Sequence, residues 1–404
     1  METLGLPRNL VILLLLITLS ALPISRLFQW WSPPTSFILG GGLLSILSLP
    51  IVVKACAVAG FITCSKDLLH MAMLFSPFLF ASSIDMVLSL ENDGLLANYM
   101  AFYMKDGEQY LMTPYGTAIC YWDGAVHFAL YWAMLYSFNN GKDCFRSLSV
   151  YWFGTFFSSM IVLIIGALIG PFPVYSAIIL NVLYIFVPWY YLWWVVSSTT
   201  SHKTVTVPFS LSSTGSILRW LFTFSCCGPQ PILFYVAYLS YFLELSALGL
   251  KITIALGANR EIIQYIGSAI EKPISHPHRF NHMAMMVFLF YGVPCTVYSL
   301  YCLLLNMKTP LLVDVSMLFA GLTANMQVTY IGPYLIRKPE DKLEFSNTSH
   351  WWIFWISNWL MFIVPHLFAL YCYNFYPSRR SKTSPPSSKI VTRSRSKLTT
   401  YKDK

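Results

Sequence analysis

FYMKDGEQYLMTPYGTAICYWDGAVHFALYWAM, residues 102–134, decides how this chain is read. From Thr117 onward the run is apolar enough to cross a bilayer, yet it carries Asp123 and His127. An ionisable side chain at membrane depth is expensive to bury and marks a functional position by default. Asp123 and His127 stand four residues apart, on one face of a helix, with Tyr121 and Trp122 beside them. The plain alternative is that Asp123 lies just under the headgroups and only pins the helix.

Composition agrees with a membrane origin for that run. Of 404 residues, 56% are hydrophobic, 17% aromatic and only 11% charged, with a mean hydropathy of +0.59. Soluble chains carry about a quarter charged residues. The expected class is therefore an all-α integral membrane protein, because helices satisfy their own backbone in lipid. Residues 378–404 hold nine Lys and Arg against Asp403 alone, which is +8 of the chain's net +9. The basic balance thus describes a tail and no nucleic-acid surface. A segment so rich in Ser, Thr, Pro and Lys cannot bury a core and reads as a disordered cytosolic tail. The nine cysteines form no C-x-x-C pairs and have no histidines at metal spacing, so neither zinc nor a disulfide framework is expected. No cofactor is expected either.

Ten apolar runs are long enough to span, or nearly so: 10–24, 36–53, 68–90, 117–138, 148–169, 174–196, 232–250, 283–305, 310–336 and 351–375. The shorter run 217–224 suits the interface. The first run also has the features of a cleavable signal peptide. With the tail cytosolic, ten spans return the N-terminus to the same side and put loops 91–116, 256–282 and 337–350 on the lumenal side. The sequon Asn347-Thr348-Ser349 then lies where glycosylation operates, close to the last run. Four regions follow: a two-helix region 1–64, four-helix units 65–200 and 201–377, and the tail 378–404.

A faint internal repeat supports the two units. Asn181 precedes Pro188, and Asn358 precedes Pro365, by the same seven residues, which is two turns along one helix face. Each proline frees the carbonyl four residues before it, at Tyr184 and Met361, beside the asparagine's own turn. At about 1.5 Å per residue, Asp85, Asp123, Asn181, Glu244 and Asn358 all fall roughly 8–11 Å below the lumenal surface. Such a layer describes the floor of a pocket open to that leaflet, walled by aromatic residues suited to a sterol or a cationic amphiphile. Interhelical hydrogen bonding that only holds the bundle is the alternative.

Several segments carry a family resemblance. KDGEQYL (105–111), ICYWDG (119–124) with His127, LSALPIS (19–25), LFAG (318–321) running on to Gln327, KPED (338–341), and Asn358 with PHL (365–367) and Tyr371-Cys372 together resemble the transmembrane 6 superfamily. Members carry two EXPERA domains and are related to the emopamil-binding protein sterol isomerases and the sigma-2 receptor. The resemblance implies two EXPERA-like four-helix bundles after two N-terminal helices, with the first helix retained. It also implies residence in the endoplasmic reticulum or the ER–Golgi intermediate, and a role in lipid homeostasis: lipid droplets, cholesterol and lipoprotein lipidation. Implied partners are membrane lipids or sterols, together with lipoprotein-assembly or sterol-synthesis proteins. Oligomeric state stays open.

The sterol isomerase branch uses a His and a Glu four apart on the first helix of the unit, a Glu on the second, and an Asn with a Trp three later on the fourth. Here Asp85, Asp123 and Asn181 resemble the acids and the amide, but Ala81 replaces the His and Tyr184 the Trp. In the second unit Glu244 and Asn358 resemble their counterparts, with Ser240 and Met361 in the other two places. The resemblance therefore implies binding rather than catalysis. Candidate ligand-binding residues are Asp85, Asp123, His127, Trp122, Asn181, Tyr184, Glu244 and Asn358. The alternatives are a sterol double-bond isomerase using Asp85 and Asp123, and a lipid transporter built from two repeats.

Overall fold

The apolar runs are helices in a computed structural model of the chain, which describes residues 5–31, 35–173, 177–198, 246–257, 261–275, 280–305, 307, 309–336, 345 and 347–375. The chain passes through α1 (Arg8–Trp31), α2 (Thr35–Val58), α3 (Lys66–Asn92) and a short α4 (Ala101–Asp106). A 3-10 turn (Gln109–Met112) leads into α5 (Pro114–Trp122), a π turn (Asp123–His127) and α6 (Phe128–Asn139). Then come α7 (Phe145–Ile169) and α8 (Ile178–Ser198). The later part holds α9 (Ser246–Ala255), α10 (Glu261–Ala269), a 3-10 turn (Lys272–Ser275) and α11 (Phe280–Val287). A second π turn (Phe288–Gly292), α12 (Val293–Leu304), α13 (Pro310–Ile336) and α14 (Thr348–Phe375) complete it.

Among the described residues, eight helical runs are long and apolar enough to cross a membrane. The run from Pro114 to Asn139 is also continuous through its π turn, its apolar character diluted by Asp123, His127 and several tyrosines. Of the expected span 232–250, residues 246–250 lie in α9 and the rest fall outside the described residues. Segment 217–224, the KPED turn and the tail 378–404 fall outside as well.

Local chemistry explains where the key helices begin. Ser65 caps α3, its hydroxyl accepting from the Leu68 amide at 3.2 Å, with Asp67 in the first turn. Thr113 caps α5, accepting from the Gly116 amide at 3.0 Å, and Pro114 fills the first helical position. Gly141 turns the chain between α6 and α7 at φ +58, in the left-handed region that glycine enters freely.

The middle of the molecule is a seam between α7 and α13. A Cβ on Gly154 would stand 2.3 Å from the carbonyl oxygen of Leu318, and a Cβ on Gly321 would stand 2.2 Å from that of Tyr151. The contacts are reciprocal: each glycine meets the residue three before the other glycine. Backbone meets backbone here, as small residues allow in membrane helices. At one end of the seam Arg146 forms a two-pronged ion pair with Asp314, Nε to Oδ1 at 3.0 Å and Nη2 to Oδ2 at 2.7 Å. Such fork geometry gives direction as well as attraction. On the outside, α1 packs on α3, burying Leu10, Leu13, Leu14, Ile17 and Ala21. Its Gln29 accepts from the Phe102 amide at 3.0 Å, and Arg26 lies over the Tyr99 ring, so α1 also holds the start of α4 and the turn before it.

Candidate functional site

A cavity of about 180 Å³ opens among α3, the 100–108 segment, the Asp123 turn, α6, α7 and α8, with α1 and α2 as its outer wall. From α3 it receives Phe78, Ala81, Asp85 and Leu88, successively three or four apart on one helix face, with Phe80, Ser82 and Ile84 beside them. Asp123 comes from the π turn, Tyr131 from α6, Phe156 and Met160 from α7, and Asn181 and Tyr184 from α8. Most of the lining is apolar or aromatic. Phe78 meets Tyr184 edge-on with centroids 5.0 Å apart, and Tyr131 packs on Phe75, Phe78 and Trp152.

The π turn opens on Asp123 and closes on His127. One extra residue in a helical turn shifts the face that follows, a device frequent at functional sites. Gly124 within it lets α5 press against α3, since a Cβ there would lie 2.7 Å from the Cβ of Met86. Asp85, next to Met86 on α3, thereby comes to line the same cavity as Asp123.

Behind Asp123 lies a buried polar chain. Nδ1 of His127 contacts the Asp123 carboxylate, and Nε2 receives the Trp122 indole N–H at 3.2 Å. An indole nitrogen can only donate, so Nε2 is the acceptor in that bond. Thr155 lies 2.5 Å from the same Nε2 and is also bonded to the Trp152 carbonyl. His127 is 1% exposed and does not line the cavity. It touches Asp123 from behind the cavity and is itself held by Trp122 and Thr155.

Glu108 is the residue that sequence reasoning missed. It sits in the KDGEQYL segment, read as loop, yet the fold turns it inward to the cavity wall at 5% exposure. It accepts from the Tyr103 hydroxyl at 2.6 Å, from Tyr110 and from the Asn181 amide, whose nitrogen also lies 3.0 Å from the Tyr110 oxygen. Burial pushes the Glu108 carboxyl above its ordinary range, and those three hydrogen bonds pull against the rise. The available signal was composition: an acid between aromatic residues in a loop that adjoins two acid-bearing helices.

Of the expected site residues, Asp85, Asp123, Asn181 and Tyr184 line one cavity, while His127 and Trp122 stand behind Asp123. Asn358 is elsewhere: it accepts from Lys251 and its own amide donates to the Phe354 carbonyl at 2.8 Å. Glu244 lies outside the described residues. Among the described residues no group of three or more His, Cys, Asp or Glu is placed to hold a metal ion.

Residues 21–206 match the family model described as the transmembrane domain of Transmembrane 6 superfamily member 2-like proteins. The chain is 29% identical to Transmembrane 6 superfamily member 2 of Rattus norvegicus over 324 residues, 78% of this chain and 80% of that one. It is 28% identical to the Homo sapiens protein of that name over 367 residues, 88% of this chain and 91% of the other. No solved structure matches it.

Proposed function

The chain belongs to the transmembrane 6 superfamily, and we propose that it binds a sterol or other amphiphilic lipid in the first-half cavity and thereby regulates lipid homeostasis from the endoplasmic reticulum membrane. One observation carries the reading: Asp85, Asp123, Glu108 and Asn181 converge on one mainly apolar, aromatic cavity among the helices. Few precisely placed polar groups on apolar walls are the usual make-up of a small-molecule site. A cavity of about 180 Å³ is smaller than one that encloses a whole ligand, so it suits the head. The hydroxyl or ammonium end meets the carboxyl pair, and the hydrocarbon body extends between α1, α2 and α3 toward lipid. Lipid droplets, cholesterol and lipoprotein lipidation are the processes such a binder would serve, with sterol-synthesis or lipoprotein-assembly proteins as partners.

Lipid mass spectrometry of the purified protein tests this directly. A sterol or amphiphile enriched over the bulk membrane is expected with the wild type and is expected to be lost from Asp85→Asn and Asp123→Asn, both of which remain folded. Asparagine keeps the shape and removes the charge. No enrichment in the wild type, or equal enrichment in all three, would overturn the proposal.

A second reading rests on the two aspartates that share the cavity. A buried carboxyl that holds a proton is a proton donor, which is the chemistry of a sterol double-bond isomerase. Against it, Ala81 leaves the α3 side of the cavity without an imidazole, and His127 is committed to Trp122 and Thr155.

A further inference from the structure

The same order of elements occurs twice, and the second passage has a buried cation beside the acid and the asparagine. In the first passage α4, Glu108, a 3-10 turn and the helix interrupted by a π turn follow α3. In the second, α10, Glu271, a 3-10 turn and α11–α12 with their own π turn follow α9. In both the glutamate directly precedes the 3-10 turn. Each passage ends in a helix with asparagine seven residues before proline.

In the first passage Asn181 bonds Glu108 directly, beside the open cavity. In the second, Lys251 stands between the two groups. Its Nζ lies 3.4 Å from Glu271 and donates to the Oδ1 of Asn358. The same ammonium lies 4.6 Å from the centre of the Tyr330 ring, whose hydroxyl donates to Glu271 at 2.7 Å. Carboxylate, amide oxygen and aromatic face are the parts of an alkylammonium site. All four residues are buried. Lys251 lies one turn before the end of α9, as Leu88 lies one turn before the end of α3, and Leu88 lines the first-half cavity.

We propose that the second half holds a self-occupied copy of the first-half cavity, filled by the Lys251 side chain, and that this site, emptied of the lysine, binds a small primary alkylammonium. The inference does not depend on which ligand the first half takes.

Lys251→Ala removes what n-propylammonium can replace, so thermal unfolding of the full-length protein in detergent is followed with and without that amine. The expected result is a lowered midpoint for Lys251→Ala, raised by millimolar propylammonium, with the wild type unmoved. Propanol, similar in shape but uncharged, is expected to do nothing, and adding Glu271→Gln to Lys251→Ala is expected to remove the response. If Lys251→Ala is not recovered folded without amine, recovery on solubilisation in propylammonium becomes the readout, and no recovery overturns the proposal. It is also overturned by an absent response, by an equal response of the wild type, or by an equal effect of propanol.

Discussion

Replacing either seam glycine by alanine is expected to destabilise the protein and to weaken its ligand site together. A methyl group on Gly154 would enter at 2.3 Å from the Leu318 oxygen, and one on Gly321 at 2.2 Å from the Tyr151 oxygen. Ordinary contacts involving carbon begin near 3.5 Å, so α7 and α13 must part by about 1 Å. The obstacle is backbone, which no rotamer change can move aside. A gap of that size forfeits about a quarter to a half of the dispersion energy of each contact along the seam. Overpacking of this kind costs roughly 1–3 kcal/mol, and the upper end applies where backbone opposes it. The effect also reaches the cavity, because Thr155, which holds His127, and Phe156, which lines the wall, directly follow Gly154. Thermal unfolding in detergent, read beside lipid retention, measures both. Gly154→Ala and Gly321→Ala within about 0.5 kcal/mol of wild type, the range of an ordinary surface change, would refute the close seam.

Three further expectations concern the site and the topology. The purified protein is expected to bind sterols yet show no double-bond isomerisation. Wild-type turnover of a Δ8-sterol that is lost in Asp123→Asn would promote the enzyme reading, and Ala81→His with Tyr184→Trp is the gain-of-function variant to try. Glu108, whose folded pKa is raised by burial, makes the native state bind a proton more tightly than the unfolded chain does. Stability from this group is therefore full below the ordinary glutamate value of about 4.3 and declines as pH rises through the raised folded value. Glu108→Gln should flatten that slope in thermal midpoints taken across the acid range, and an unchanged slope would count against it. Both termini are expected on the cytosolic side, so protease added to intact microsomes should remove an epitope from each end, while a protected tail would reverse the orientation.

The membrane class, the runs at 68–90, 148–169, 310–336 and 351–375 and the polar residues within them were legible from the chain alone. Hydropathy acts residue by residue, and lipid penalises every misplaced charge without help from tertiary contacts. The Asp123–His127 spacing likewise announced a contact, since four residues along a helix bring side chains together. Partner choice is a different matter. Arg146 meets Asp314 across 168 residues of sequence, and nothing local to either says so. That Asp85 and Asp123 line one cavity depends on a glycine that lets two helices touch. Glu108 enters the wall because its loop folds back over Asn181, and Asn358 leaves the expected layer's company because Lys251 reaches it first. Counting residues along each helix gives an expected depth, but azimuth around each helix and the distance between helices select which side chains touch. Those two quantities are set by side-chain packing over the whole bundle.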